Sequence, residues 1–224
     1  MSLKLFPALL LALVPMLAFR AQAAASLTTD DAALTPEGRC QVETWLRGAR
    51  PGREFTAVPA CTWAGNEVSL GLSTFTDQAQ GGVAAVGVKR LFRDLDQQRW
   101  GAAASLGANW DMRRQRLDGW NINVPVSIAL DPDRRSLLHL NVGATTPSAA
   151  ATALTASVGV EHTLGPAWIV LAEAFGDDRG GFGQQAGVRR LLGDRASVDL
   201  LAGYQHGGDK SAWVTLGFNL LLPD

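Results

Sequence analysis

Between Trp120 and Leu130, the side chains of Trp120, Ile122, Val124, Val126, Ile128 and Leu130 fall on one side of an extended chain, and Asn121, Asn123, Pro125, Ser127 and Ala129 fall on the other. Successive side chains of a strand point to opposite faces, so this stretch predicts a strand between two unlike environments. The alternation recurs from Arg39 onward, interrupted by turn residues. It predicts twelve strands, near 39–47, 53–61, 66–76, 82–93, 99–110, 119–130, 136–145, 152–164, 167–176, 182–192, 196–206 and 211–222. The connections "TWAGN", "DLDQQ", "DPDRR", "GP" and "GDR" alternate with "GARPG", "DQAQG", "MRRQRLDG", "TPSAAA", "DDRGG" and "GGDK". Gly, Pro, Asp and Asn dominate them, as tight turns require. An even number of strands puts both ends of the chain on one side.

Compared across strands, the two faces keep their characters. Leu138, Leu140 and Val142, Leu154, Val158 and Val160, or Val214, Leu216, Phe218 and Leu220 repeat an apolar side. Opposite them lie His139, Asn141 and Gly143, Thr155, Ser157, Gly159 and Glu161, or Thr215, Gly217 and Asn219. A soluble sandwich would pack its apolar faces together and show water a surface rich in Lys, Glu and Arg. Here that surface would be Gly, Ser, Asn and Ala. A transmembrane barrel inverts the assignment, with apolar residues toward lipid and small polar ones inside. The expected fold is therefore all-β, an up-and-down antiparallel transmembrane β-barrel of about twelve strands with short turns on both sides. Tryptophans support it: Trp45, Trp110, Trp120 and Trp213 fall near one rim of this topology, and Trp63, Trp100 and Trp168 near the other, as membrane-interface aromatics do. Three features sit awkwardly with it. Pro59 and Pro125 lie within proposed strands, where proline forfeits a ladder bond and usually marks a bulge or an edge. Tyrosine occurs only once, and the chain ends "NLLLPD" rather than on an aromatic residue.

Composition adds an address. Charged residues are 18% of the 224, hydrophobic ones 47%, and 20 basic side chains nearly balance 21 acidic ones, which gives no footprint for nucleic acid. The segment "MSLKLFPALLLALVPMLAFRAQAAA" carries Lys4, an apolar run from Leu5 to Phe19, and small residues at Ala21, Ala23 and Ala25. It reads as a secretory signal peptide over 1–25 with an A-x-A cleavage site. Its removal leaves 18 basic against 21 acidic groups, a net charge of about −3. The expected order is then a signal peptide (1–25), a short periplasmic N-terminal tail (26–38), and a barrel domain (39–224) in the outer membrane of a Gram-negative cell. Export also makes a bridge the default for the two cysteines. A hairpin centred between Arg50 and Pro51 places Cys40 directly opposite Cys61, and closing that loop contributes on the order of 3 kcal/mol.

Chemistry is sparse. His139, His162 and His206 lie on different strands without metal-ligand spacing, Ser157 and Ser197 have no G-x-S-x-G context, and "GGVAAVG" and "GDDRGG" lead into no helix that could hold a phosphate. No catalytic residue, metal or cofactor is expected, and the chain is not expected to be an enzyme. The inward positions are more informative: Glu43, Glu67, Lys89, His139, Glu161, Glu173, Arg189 and Asp199 are expected to line the lumen. Charges there need partners or water, and a twelve-strand barrel lies between small barrels filled by side chains and wide porins. Either an ion-paired plug or a narrow polar pore accommodates them. Of the far-side loops the longest is "MRRQRLDG", whose Arg113, Arg114 and Arg116 could touch anionic head groups.

"LTTDDAALTPEGRCQVETW", "AVPAC", "NVPVSIAL", "LLHLNVG", "AEAFGDDRG", "QQAGVRRLL" and "RASVDLLAGY" resemble short Gram-negative outer-membrane barrel proteins of the transporter-like group named after the meta-pathway of phenol degradation. The resemblance runs over most of the chain after the leader. It implies an outer-membrane barrel concerned with passage of small aromatic or hydrophobic compounds, and it brings no catalytic residues with it. The expected partners are the lipid bilayer and a small solute, with no nucleic acid. The alternative function is a non-conducting barrel, structural or partner-binding, with a plugged interior.

Overall fold

A computed structural model describes residues 26–50, 52–76, 81–206 and 211–223. The signal peptide expected over 1–25 lies outside the described residues, as do most of "DQAQG" and all of "GGDK". Twelve strands follow one another: β1 (Cys40–Ala49), β2 (Arg53–Trp63), β3 (Asn66–Phe75), β4 (Gly82–Arg93), β5 (Trp100–Asp111), β6 (Arg116–Ala129), β7 (Ser136–Pro147), β8 (Ala153–Gly165), β9 (Trp168–Asp177), β10 (Phe182–Leu192), β11 (Ala196–His206) and β12 (Ser211–Leu221). Each pairs antiparallel with its neighbours in sequence, and β1 pairs with β12 from Gln41↔Leu221 to Ala49↔Trp213, closing the barrel. Closure leaves no unpaired sheet edge. The rim where β1 begins and β12 ends is the proximal rim; the other is distal.

Face assignment follows the alternation. Val68, Leu70, Leu72, Val86, Leu106, Ile122, Val142, Leu154, Val158, Leu200, Val214 and Leu216 are exposed on the outside, while Lys89, His139, Asn141, Glu161, Glu173, Arg189, Asp199 and Asn219 are buried inside. A closed barrel with that outer surface is a transmembrane barrel, since hydrocarbon is the solvent in which such a face costs nothing. Among the described residues no helix is long and apolar enough to cross a membrane; the strands do the crossing.

Neither internal proline bends the sheet. Between β2 and β3 the pairs skip from Ala57↔Leu72 to Ala60↔Ser69, and between β5 and β6 from Ala102↔Val126 to Ser105↔Asn123, with no change of register. Pro59 and Pro125 each interrupt one ladder while staying paired on the other side, with Val42 and Asn141. A proline lacks a single donor, so one neighbouring strand loses a bond and the other none. The bulges lie elsewhere, at Leu91/Arg93, Asn109/Trp110 and Thr163/Gly165. That at Trp110 lets β6 start at Arg116 instead of near 119. It shortens the expected loop 112–119 to four residues, capped by the Asp111 carboxylate, which accepts from the backbone N–H of Arg113 and Arg114.

Cys40 stands opposite Cys61 in the β1–β2 ladder, and the two are disulfide-bonded with Cα atoms 4.0 Å apart. The bridge closes a hairpin whose turn is set by Gly48↔Arg53.

Candidate functional site: a plugged lumen

The interior is neither an empty pore nor a wall-to-wall network of strand side chains. Residues 26–35 run inside it and take hydrogen bonds from, or give them to, strand after strand. At β11, the Ser26 hydroxyl donates to Asp199 Oδ2 at 2.6 Å. On β9, Glu173 accepts from the backbone N–H groups of Thr28 (2.9 Å) and Thr29 (2.7 Å). Asn141 on β7 brackets Asp30, accepting from its N–H at 2.9 Å and donating to its carbonyl at 2.8 Å. Ser127 on β6 accepts from Ala32 N–H at 2.9 Å, and Glu67 on β3 accepts from both the N–H (2.7 Å) and the hydroxyl (2.6 Å) of Thr35. The segment leaves by the proximal rim, where Glu37 accepts from the backbone of Ala64 and Gly65 and Gly38 N–H donates to Thr62 O, and it enters β1 at Cys40.

The physical reason is plain. A chain segment without secondary structure has backbone donors that must be satisfied once it leaves water. The inward faces of a barrel have polar side chains with the same need. Residues 26–35, "SLTTDDAALT", are small and polar enough to fit. Ser26, Thr29, Asp31, Ala32 and Thr35 are all buried. Leu27 is the apolar anchor: it packs with Leu191 on a cluster of Ile169, Leu171 and Leu201 that faces inward among the polar residues.

Charges in the lumen sort into two groups. Lys89 Nζ lies 2.9 Å from Asp30 Oδ1 and 3.4 Å from Asp31 Oδ1, so a strand cation grips two carboxylates of the segment. Arg189, 1% exposed, reaches Asp199 through Nε (2.9 Å) and Nη2 (3.3 Å) and Glu161 through Nη1 (3.6 Å), a pairing within the wall itself. Glu173 is not part of that wall pairing. Besides the segment it accepts from Gln185 Nε2 at 2.7 Å. Glu43 accepts from Gln41 at 3.3 Å, and His139 Nδ1 lies 2.8 Å from the Ser127 hydroxyl. Of the residues expected to line the lumen, Lys89, His139, Glu161, Glu173, Arg189 and Asp199 are buried, Glu67 reaches the segment, and Glu43 is half-buried.

Tryptophan placement departs from a simple double belt. Trp63, Trp100 and Trp168 at the proximal rim and Trp110 and Trp120 at the distal rim face outward. Arg93 and Arg190 stack on Trp100 and Trp168 with 4.1 and 4.9 Å to the ring centroids, as cations at an interface do. Trp45 and Trp213 instead point inward at the distal end, because they share the parity of Glu43 and Thr215. Indole N–H groups removed from water need acceptors. Trp45 donates to Glu54 at 3.2 Å and Trp213 to Gln185 at 2.9 Å. Phe175 joins Trp213 at 6.3 Å between centroids, and Arg47 lies over the Trp213 ring. Gly183 and Gly203 make room: a Cβ on either would overlap the Phe175 or the Trp213 ring.

Sequence reading missed the segment–lumen contacts, the inner apolar cluster, and the roles of Ser127, Asn141 and Gln185. A signal for the cluster was present. Ile169-Val170-Leu171 and Leu200-Leu201 break the alternation, which only an apolar patch on both faces explains. Among the described residues no group of His, Cys, Asp or Glu has the arrangement to hold a metal ion.

Solved barrels share this architecture. The KdgM porin superposes with a TM-score of 0.68 at 6% identity, covering 82% of this chain and 99% of the porin. The NanC porin gives 0.62 at 9%, covering 82% and 100%. The COG4313 outer membrane channel from Pseudomonas putida F1 gives 0.62 at 7%, covering 88% and 100%. At these identities the likeness shows the fold. No curated protein matches the chain. Residues 9–222 match the model of the family described as uncharacterised conserved protein UCP029691, and the chain belongs to that family.

Proposed function

We propose that this protein is a barrel of the Gram-negative outer membrane that passes small solutes through a narrow polar interior, and that its own segment 26–35 holds that interior closed at rest. The observation that carries the reading is the succession of hydrogen bonds that the segment donates to Asp199, Glu173, Asn141, Ser127 and Glu67. Contacts made mostly through polar groups and ion pairs hold a segment firmly, yet they can be exchanged for water one at a time. A dry apolar core cannot be exchanged in that way. The apolar outer surface supports the membrane, the leader 1–25 supports export, and the porins and channel that share the fold support passage as the class of function.

Trp45, Phe175 and Trp213 give the distal mouth an aromatic wall, which supports small aromatic or hydrophobic solutes, in line with the group the sequence resembles. A neighbour of the same fold is described as the KdgM porin in complex with disordered oligogalacturonate, and a sugar ring would also stack on such a wall. Planar-bilayer recording tests the reading. The full mature chain should be mostly closed, and a chain lacking 26–34 should conduct. A second reading, a sealed barrel that conducts nothing, is favoured by the Arg189–Asp199–Glu161 pairing, which belongs to the wall and stays when the segment goes. A correctly folded deletion form with no conductance and no solute flux would decide for it.

A further inference from the structure

The leader motif and the buried start of the segment meet at one residue. Cleavage after Ala25 in "AQAAAS" makes Ser26 the first residue of the processed chain. Ser26 is 1% exposed, its hydroxyl donates to Asp199 Oδ2, and its carbonyl accepts from Gln185 Nε2 at 3.0 Å. Covalent geometry keeps its backbone nitrogen within about 3–4 Å of its own Oγ. That nitrogen therefore lies within about 6 Å of Asp199 Oδ2, and the carbonyl of the same residue shares the Gln185 amide with Glu173.

Charge balance in the lumen points to what belongs there. Asp30 and Asp31 share Lys89, and Glu161 and Asp199 share Arg189. Glu67 and Glu173 accept only from neutral donors among the described residues. Both carboxylate oxygens of Glu161 are buried without a hydrogen-bond partner. The interior is acidic in excess, and a buried carboxylate that keeps its charge is stabilised by a nearby cation.

We propose that the α-ammonium group created by leader removal is that cation: the mature N-terminus of Ser26 seats beside Asp199, with Glu173 close behind, and locks the plug. The site is a socket for this chain's own amino terminus, and signal cleavage is the step that completes the plug. This rests on the reading of 26–35 as a plug. It explains why the segment starts on a serine, whose hydroxyl and ammonium engage one carboxylate together, and why glycine stands at 217, where a Cβ would lie 3.0 Å from Ser26 Cβ.

Three measurements on the exported full-length protein test it. Intact mass should place the start at Ser26; a chain that keeps its leader or starts elsewhere overturns the proposal. Insertion of Gly-Ser between Ala25 and Ser26 moves the ammonium out of its socket and should raise the open fraction in planar bilayers by about tenfold or more. The same insertion in an Asp199→Asn background should add little. Periodate oxidises the 1,2-amino alcohol of an N-terminal serine, so the folded wild type should resist it and the urea-unfolded chain should react, which needs no variant to fold. Rapid oxidation of the folded barrel, or an insertion without effect while deletion of 26–34 opens the channel, overturns the ammonium socket and leaves the plug standing. Deletion of 26–34 without any effect on conductance removes the plug reading and this proposal with it.

Discussion

Glu173 accepts the backbone N–H of Thr29 at 2.7 Å across the lumen, joining residues 144 positions apart in the chain. With Thr28 on its other oxygen, the carboxylate acts as a two-point clasp on the plug. Charge-assisted bonds of this kind are stronger than neutral ones, and the clasp is lost from the plug without touching any ladder bond. Glu173→Gln replaces one acceptor by a donor facing an N–H. It should weaken plug seating by about 1–3 kcal/mol and raise channel opening while leaving the barrel folded. Bilayer recordings alongside far-UV circular dichroism check this; an unchanged open fraction contradicts the clasp.

Lys89 is the cation that the plug's two aspartates share. Lys89→Met leaves the buried Asp31 and the partly exposed Asp30 without it; breaking a fully buried pair by removing one partner costs about 3–5 kcal/mol, which is the upper bound here. Because the charges left behind belong to the segment, the segment can relieve them by leaving the lumen. The variant should therefore open the channel more than it destabilises the barrel. Adding Asp30→Asn should close it part of the way again, as read by conductance and by urea unfolding.

Arg189 gives the opposite partition. Its partners Asp199 and Glu161 are wall residues, so Arg189→Met should destabilise the barrel itself, by a similar amount. Restoring charge balance with Glu161→Gln should recover part of the loss. Urea midpoints of the single and double variants check it, and additive losses would argue against the pairing.

The Cys40–Cys61 bridge spans 21 positions at the proximal rim, on the side of β2 where Cys61 is exposed. Reduction, or Cys40→Ser with Cys61→Ser, should cost on the order of 3 kcal/mol with no effect on the lumen. A change in conductance would contradict that separation.

Asp131 in the β6–β7 turn is held below the usual carboxylate range, first by the Arg135 backbone N–H and further by Ser136. A depressed folded value means that the carboxylate's contribution is present above the unfolded pKa, about 3.9, and is lost as pH falls through the lower folded value. Asp131→Asn should therefore unfold more easily than the wild type at neutral pH, and the difference should shrink below about pH 4.

Period-two alternation fixed twelve strands and the face each side chain takes, because a one-residue slip would send every side chain to the wrong solvent; the turn centred between Arg50 and Pro51 set Cys40 opposite Cys61. Strand ends near Arg116 and the harmlessness of Pro59 and Pro125 were beyond the sequence. A bulge, or the choice of which neighbour loses a bond, depends on the partner strand. Tertiary structure alone decided the state of the lumen. Alternation says that Glu67, Asn141 and Glu173 point inward, but it holds no information about what meets them there. "SLTTDDAALT" carries no period of its own; its conformation comes from donors and acceptors on strands far away in the chain. The inward turn of Trp45 and Trp213 has the same origin. Their parity was legible, while the acceptors that make it tolerable, Glu54 and Gln185, became neighbours only on closure of the barrel.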